Sequence, residues 1–249
     1  MIRQKIVAGN WKMNGSKESI LNLVNGLLEG SKSSAEVVIA PSFPYLSQVA
    51  DLTANSQLTL AAQNVSEQAK GAYTGEVSCS MLADFNVKYV LIGHSERRSL
   101  YGESDQLVAE KVKACLASGF KPMLCIGETL AEREAEQTIA VCERQVAAVV
   151  DTVGIEAFKD IVIAYEPVWA IGTGLSASAQ QAQEVHQAIR AYLAGLSASV
   201  SEGVQILYGG SVKASTSAEL FTMPDVDGAL VGGASLDAKE FLDIIKAAG

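Results

Sequence analysis

The chain has 249 residues, of which 49% are apolar and 19% are charged, and its formal net charge is −9 at pH 7. This apolar content suffices for a large core and excludes a disordered chain, while the acidic balance argues against nucleic acids and anionic membranes as partners. No run is long and apolar enough for a membrane span or a secretory signal, so we expect a cytoplasmic protein.

Cysteine and histidine usage argues against disulfides and metal sites. Cys79, Cys115, Cys125 and Cys142 show no paired spacing, so we expect free thiols in a reducing compartment. There are only two histidines, and neither a CxxC nor an HExxH motif occurs. A structural or catalytic zinc site is therefore not expected.

Short apolar runs rich in β-branched residues recur along the chain. They lack clean alternation, which is typical of strands buried on both faces of a parallel sheet. The predicted strands cover residues 5–8, 36–40, 58–62, 88–92, 121–126, 161–165, 204–207 and 228–231.

Amphipathic stretches lie between these runs and are predicted as helices. They cover residues 17–28, 45–54, 105–118, 130–150, 179–195, 215–221 and 237–247, with a weak helix over residues 78–85. Ser104 and Thr129 are suited to begin helices, and Gly119 is suited to end one.

Eight strand–helix units without a break in composition predict an α/β protein in which residues 1–249 form a single-domain (β/α)8 barrel with eight parallel strands. A doubly wound open sheet is the alternative fold. Its glycine-rich dinucleotide fingerprint is absent after the first strand, where Gly9-Asn10-Trp11-Lys12 stands instead.

Polar residues follow several predicted strands at the carboxyl ends, where barrels carry their active sites. Asn10 and Lys12 follow the first strand, His94 and Glu96 the fourth, and Glu166 the sixth. Glu166 is suited to act as a general base, and Lys12 suits a phosphate or an oxyanion. His94 precedes a predicted helix start, whose dipole disfavours the imidazolium form. Taken singly, each has an ordinary alternative as a solvated or packed side chain.

Glycine pairs follow the last two strands, as Gly209-Gly210-Ser211 and Gly232-Gly233. Such residues let backbone N–H groups approach an anion, and barrels often bind phosphate with these two loops. One pair alone would indicate a tight turn, whereas two at consecutive strand ends favour a phosphate site. His186 is interpreted as a packed structural histidine, and Arg97 and Arg98 as salt-bridge residues.

The segment after Glu166 has the composition of a lid. Proline stiffens its beginning, glycines permit unusual backbone angles, and an apolar tryptophan lies between them. An ordinary strand-to-helix loop is the alternative. The predicted lid consists of Pro167, Val168, Trp169, Ala170, Ile171, Gly172, Thr173, Gly174, Leu175, Ser176 and Ala177.

Together these motifs closely resemble the triosephosphate isomerase family. The resemblance runs in family order over essentially the whole length, which makes it highly specific. The matching segments are residues 9–14, 93–98, 125–128, 164–174, 208–212 and 228–236.

The resemblance implies interconversion of D-glyceraldehyde 3-phosphate and dihydroxyacetone phosphate through an enediolate, in glycolysis and gluconeogenesis, without a metal or an organic cofactor. Glu166 would move the carbon-bound proton. Neutral His94, with Asn10 and Lys12, would stabilise the enediolate oxygens, and Glu96 would support them from close by.

The resemblance also assigns residues to the resting enzyme and to the phosphate. Ser95 would hold Glu166 while the lid is open. Backbone N–H groups of Gly172, Ser211, Gly232 and Gly233 would bind the phosphate dianion.

A long predicted connection, residues 63–78, carries the expected subunit contact. In the family this loop enters a second subunit, so the resemblance implies a homodimer whose interface includes Thr74, Gly75, Glu76 and Arg97. Glu76 would pair with the partner subunit's Arg97.

The hinge departs from the family pattern. Leu175-Ser176-Ala177 stands where Lys-Thr-Ala or a similar sequence is common, and Ala179 replaces a frequent proline. We expect a looser hinge and lower thermal stability than in a proline-bearing relative.

Two other functions fit part of the pattern. Another phosphate-binding barrel isomerase explains the glycine pairs, but not Asn10, Lys12, His94 and Glu166 together. A catalytically silent barrel that serves as a scaffold would be expected to have lost some of these side chains.

Overall fold

Eight parallel strands close into a barrel in the computed structural model, which describes residues 3–30, 33–171 and 176–249. Each strand pairs with its neighbours in sequence, and the eighth pairs with the first. The strands are β1 (Ile6–Asn10), β2 (Glu36–Ala40), β3 (Leu58–Ala62), β4 (Tyr89–Ile92), β5 (Lys121–Ile126), β6 (Val162–Tyr165), β7 (Ile206–Tyr208) and β8 (Gly228–Val231). The predicted barrel is confirmed.

Two apolar layers explain why the strands are continuous apolar runs. In β4, Tyr89 and Leu91 belong to the cluster inside the barrel, whereas Val90 and Ile92 pack in the layer between strands and helices. Successive side chains of a strand point to opposite faces of the sheet, and both faces are buried here. The side chains on both faces must therefore be apolar. The closed sheet leaves the strand ends free to carry polar groups.

The helices surround this barrel. They are α1 (Lys17–Gly30), α2 (Leu46–Thr53), α3 (Cys79–Ala83), α4 (Ser95–Tyr101), α5 (Asp105–Ala117), α6 (Leu130–Glu134), α7 (Thr138–Val153), α8 (Ala179–Leu196), α9 (Ala198–Gly203), α10 (Ala214–Leu220) and α11 (Ala238–Ala248). The predicted starts are confirmed, because the Ser104 side chain accepts from the Leu107 N–H and Thr129 forms a capping box with Glu132.

One predicted helix, over residues 130–150, is wrong as a continuous element. It is divided into α6 and α7 by Glu136, whose φ of 57° is left-handed. The Glu136 N–H donates to the Arg133 carbonyl and the Gln137 N–H to the Glu132 carbonyl, which closes the end of α6. No glycine marks this turn, so the sequence pattern missed it.

The seventh strand also begins later than predicted. Val204 donates its N–H to the Val200 carbonyl at 3.1 Å and therefore ends α9. The strand starts only at Ile206, while β1 extends to Asn10 because Asn10 pairs in register with Ala40.

Two further predictions from composition can be compared with the structure. All four cysteines are free and buried. Over the three described ranges, no helix combines the length and the apolar character needed to cross a bilayer.

Candidate active site

A cavity of about 300 Å³ opens at the carboxyl ends of the strands. It collects residues from the carboxyl ends of five different strands, which lie far apart in the sequence. Among its lining residues are Asn10, Lys12, His94, Glu166, Gly209, Gly210, Ser211, Gly232 and Gly233. The predicted polar residues and the predicted glycine pairs therefore meet at one end of the barrel.

Glu166 follows β6 and is almost completely buried, with 2% of its surface exposed. Its Oε1 lies 3.0 Å from Nε2 of His94, and its Oε2 accepts a hydrogen bond from the Ser95 N–H at 2.9 Å. Both oxygens are thus held by the start of α4. The carboxylate has to turn away from these partners before it can act on a molecule in the cavity.

Two glycines make room for Glu166. A Cβ on Gly127 would lie 1.8 Å from the Glu166 carbonyl oxygen, and a Cβ on Gly209 would lie 2.8 Å from its Cγ. The first distance is far below any van der Waals contact. The need for glycine at 127 arises from the approach of β6 to β5, which the sequence pattern did not reveal.

His94 is the N-cap of α4, where its Nδ1 accepts a hydrogen bond from the Glu96 N–H at 3.2 Å. A ring nitrogen that accepts is unprotonated, so Nε2 carries the proton and donates it towards Glu166. A neutral imidazole with its proton on Nε2 satisfies both contacts.

His94 and Glu166 shift each other's pKa. Burial alone would lower the pKa of His94, but the charge and hydrogen bond of Glu166 outweigh it and raise the pKa. Burial alone would raise the pKa of Glu166, but His94 and the Ser95 N–H hold it below its ordinary value. Glu166 is therefore ionised in this arrangement, as a general base requires.

Lys12 has a left-handed backbone with φ of 50°, which is uncommon for a residue with a side chain. Several hydrogen bonds hold it there: Asn10 Oδ1 accepts from its N–H at 3.0 Å, and its carbonyl accepts from Ser42 and Gln63. Its Nζ lies 2.5 Å from Glu96 Oε1. In this conformation the Lys12 side chain lines the cavity.

The predicted phosphate residues border the same cavity. A Cβ on Gly232 would come within 3.7 Å of the Lys12 Cε, so the lysine side chain passes directly over this glycine. Ser211 and Gly233 line the cavity beside it. Gly172, the remaining predicted phosphate residue, lies outside the described residues.

The described part of the predicted lid begins with Pro167 and a short 3-10 helix, Val168–Ala170. The Trp169 Nε1 donates to Glu128 Oε1 at 2.9 Å, and the Ala177 N–H donates to the Tyr208 hydroxyl at 3.3 Å. Gly172, Thr173, Gly174 and Leu175 lie outside the described residues. The sequence pattern predicts no lid contact for Glu128 or Tyr208, although both lie in the segments that carry the family resemblance.

The predicted interface residues are on the surface. Thr74, Gly75 and Glu76 are exposed at the tip of the long loop. Arg97 pairs with Glu103 at 2.6 Å and its guanidinium lies 5.0 Å from the centre of the Tyr101 ring.

The structure also gives the surroundings of the residues interpreted as structural. Arg98 pairs with Asp105 at 2.6 Å. His186 is fully buried, with Nδ1 3.0 Å from the Asp225 carbonyl. Both observations agree with the structural interpretation. In the described part of the chain, no three histidine, cysteine or acidic side chains converge as metal ligands do.

A closed parallel barrel with a buried carboxylate, a histidine and a lysine around one cavity at the carboxyl ends of its strands is the arrangement of a (β/α)8-barrel enzyme. The family model described as triosephosphate isomerase matches residues 5–248. A protein of that name from Thiobacillus denitrificans is 56% identical over 247 residues, covering 99% of each chain. One from Pseudomonas entomophila is 54% identical over 250 residues, covering both chains completely. The chain belongs to the triosephosphate isomerase family.

Proposed function

We infer that this chain is an isomerase that interconverts D-glyceraldehyde 3-phosphate and dihydroxyacetone phosphate, a reaction of glycolysis and gluconeogenesis. Family membership over residues 5–248 supports the reaction. The observation that carries it at the level of the site is the buried Glu166 beside His94, at the edge of a glycine-bordered cavity.

Glu166 acts as the base in the proposed mechanism. It turns from Ser95 towards the substrate, accepts a proton from the carbon next to the carbonyl, and returns that proton to the neighbouring carbon. The bonding electrons pass through an enediolate, so no oxidant or reductant is consumed. The hydroxyl proton passes from one enediolate oxygen to the other through Nε2 of neutral His94, which donates to the developing oxyanion. The Lys12 ammonium and the Asn10 amide stabilise the negative charge.

Backbone N–H groups bind the phosphate in this proposal, from Gly172, Ser211, Gly232 and Gly233, and Glu96 orients Lys12. The 2.5 Å contact between Glu96 and Lys12 supports the latter role. The lid, residues 167–177, closes over the bound substrate. Closure excludes water and suppresses elimination of phosphate from the enediolate.

We also propose a homodimer, in which residues 1–249 of each chain form one barrel domain. Large apolar side chains are exposed on the face that carries the loop tip and Arg97: Met13 is 95% exposed, Leu100 72% and Tyr101 70%. Exposed apolar groups concentrated on one face favour association. In the proposed dimer, Thr74 lies beside the partner subunit's Lys12, and Glu76 pairs with the partner subunit's Arg97. A cytoplasmic location and the absence of nucleic acid or membrane partners belong to the same proposal.

Conversion of glyceraldehyde 3-phosphate by the purified protein tests the function, followed through a coupled dehydrogenase in the presence of a chelator. We expect turnover with kcat/KM near the diffusional ceiling of about 10⁸–10⁹ M⁻¹s⁻¹. Absence of turnover by folded, dimeric protein would contradict the proposed function.

A further inference from the structure

Lys213 is an exposed lysine at the edge of the substrate cavity, in the segment between β7 and α10. The chain is fixed on both sides of it. Val212 is buried in the apolar layer between strands and helices, and the Ala214 N–H donates to Glu240 at 2.8 Å. The Lys213 carbonyl also accepts from the Ser217 N–H at 3.0 Å. The backbone of Lys213 is therefore held at a defined place beside the cavity.

Few charged side chains surround this cavity. Among the described residues that line it, only Lys12, Glu166 and Lys213 carry a charge when the histidine is neutral. The charge of Lys12 is balanced by Glu96, whose Oε1 lies 2.5 Å from its Nζ. No ion pair in the described part of the chain includes Lys213. Its ammonium group is thus the cation at this cavity whose charge no neighbouring carboxylate cancels.

The sign of the charge around the cavity depends on Lys213. The pair of Lys12 and Glu96 is neutral as a whole, and the Glu166 carboxylate is negative. Lys213 balances that carboxylate, so the cavity would carry an excess negative charge without it. The whole chain has a net charge of −9, and its long-range field opposes the approach of an anion. An anionic ligand is therefore repelled except where a local cation offsets this field.

We propose that Lys213 draws the phosphate dianion of the substrate towards the cavity, and so strengthens capture without taking part in the chemical step. The inference rests on the proposed function for the identity of the dianion. One ammonium group about 10 Å from a dianion in water changes capture about three- to fourfold by Coulomb's law. Salt weakens this attraction, because the Debye length falls from about 30 Å at 0.01 M to about 3 Å at 1 M.

The test compares kcat/KM for glyceraldehyde 3-phosphate in the unmodified protein and in Lys213→Gln, at ionic strengths from about 0.01 M to about 1 M. We expect the variant to have a kcat/KM about three- to fourfold lower at the lowest ionic strength, and the two curves to converge at the highest. The kcat at saturating substrate should stay within about twofold. Lys213→Arg keeps the charge and should restore the salt dependence, whereas Lys213→Glu should enlarge the loss to about tenfold.

Lys246→Gln is the matched control, because it removes the same charge from an exposed lysine in the last turn of α11. In a (β/α)8 barrel this end of the last helix lies opposite the cavity, which opens at the carboxyl ends of the strands. The control should leave kcat/KM almost unchanged at every ionic strength. An equal loss in both variants would assign the effect to net charge and overturn the role of Lys213.

Binding of inorganic phosphate separates this inference from the proposed function, because it requires no turnover. Titration calorimetry at about pH 8, where phosphate is a dianion, should give a Kd about three- to fourfold weaker in Lys213→Gln at low ionic strength. Weaker phosphate binding without turnover by the unmodified protein would uphold the role of Lys213 and contradict the proposed isomerase. Turnover with parallel salt curves for the two proteins, or a loss in kcat with KM unchanged, would overturn the inference.

Discussion

Glu166 is a buried carboxylate that is stabilised by contacts with the surrounding residues. Its two oxygens are held by Nε2 of His94 and the Ser95 N–H, and its backbone lies against Gly127. The sequence predicted Glu166, His94, Lys12 and Asn10 as one site, because each follows a strand that ends at the same face of a barrel. It did not predict the direct contact between Glu166 and His94, which depends on the distance between β4 and β6 across the barrel.

Shortening the base tests its placement. In Glu166→Asp the carboxylate retreats by about 1.5 Å, one carbon–carbon bond, so it can no longer approach the substrate carbon closely. We expect kcat to fall at least about 100-fold while KM changes only a few-fold. Steady-state kinetics in both directions measures this, with Glu202→Asp on the exposed part of α9 as the control. A kcat within tenfold of the unmodified protein would contradict the assignment.

His186 gives a second prediction at this scale, for stability against pH. Burial lowers its pKa from the ordinary value of 6.5 to about 4. Its Nδ1–H donates to the Asp225 carbonyl, while its buried Nε2 has no hydrogen-bond partner among the described residues. Between pH 4 and 6.5 the unfolded chain therefore binds a proton at His186 that the folded chain does not bind. The free energy of unfolding rises with pH across this window, by up to about 3 kcal/mol.

The variant His186→Asn keeps a donor for the Asp225 carbonyl and removes the titrating group. Urea unfolding at fixed protein concentration, at several values of pH between 4.5 and 7, should show a smaller increase of stability with pH in this variant. Parallel curves for the two proteins would show that His186 does not titrate as described.

At the scale of elements, the connection from β6 to α8 combines the base and the lid. Pro167 and the 3-10 helix Val168–Ala170 begin it, and Ser178 ends it as the N-cap of α8. The hinge was predicted to be loose because small residues replace those common in the family. Of the hinge residues, only Ser176 and Ala177 are described, and Ala177 already bonds to the Tyr208 hydroxyl.

Proline at position 179 tests the hinge. Ala179 is the first residue of α8, where proline is favoured, and Ser178 has φ of −67° and ψ of 159°, which suits a residue before proline. Ala179→Pro should raise the melting temperature by about 2–4 °C and slow lid opening, because the unfolded chain and the hinge both lose freedom. Calorimetry measures the melting temperature, and NMR relaxation of the Trp169 side chain measures the rate of lid opening.

The control for this variant is Ala198→Pro. Ala198 is exposed and begins α9, whose N-cap Ser197 is also extended. Ala198→Pro should change the melting temperature without changing the rate of lid opening. If Ala179→Pro leaves lid relaxation as it is, the hinge interpretation is wrong.

At the scale of the whole molecule, one face of the barrel carries the long loop and a set of exposed apolar side chains. Loop residues 69–76 are exposed throughout, and Met13, Leu100 and Tyr101 are also exposed. A second cavity of about 270 Å³ lies beside Met13 and Arg97 and reaches Lys12 and His94. A loop from a second copy of the chain that entered this second cavity would contact Lys12 and His94 on the side away from the phosphate-binding glycines.

Charge at the loop tip tests the proposed dimer. Thr74→Arg places a bulky cation beside the partner subunit's Lys12, so we expect a predominantly monomeric protein with strongly reduced kcat. Sedimentation equilibrium measures the assembly, and Ser199→Arg on the exposed part of α9 is the matched control. A stable dimer of Thr74→Arg would contradict this interface.

Local sequence patterns determined the architecture and indicated where the proposed site lies, while the roles of its residues were implied by the family resemblance. Continuous apolar runs specify strands buried on both faces, amphipathic stretches specify the helices, and polar or glycine residues follow the strand ends. These signals are short-range, so one sequence suffices to read them. The break at Glu136 and the helical end at Val204 were missed, because hydrogen bonds rather than glycine or proline define them.

Contacts between distant segments were decided only by the tertiary structure. Gly127 is required by the Glu166 carbonyl, and the resting carboxylate depends on the start of α4. Arg133 meets Trp169 only because α6 packs against the segment after β6. Residue type and local spacing contain no information on such distances, since closure of the barrel brings these segments together.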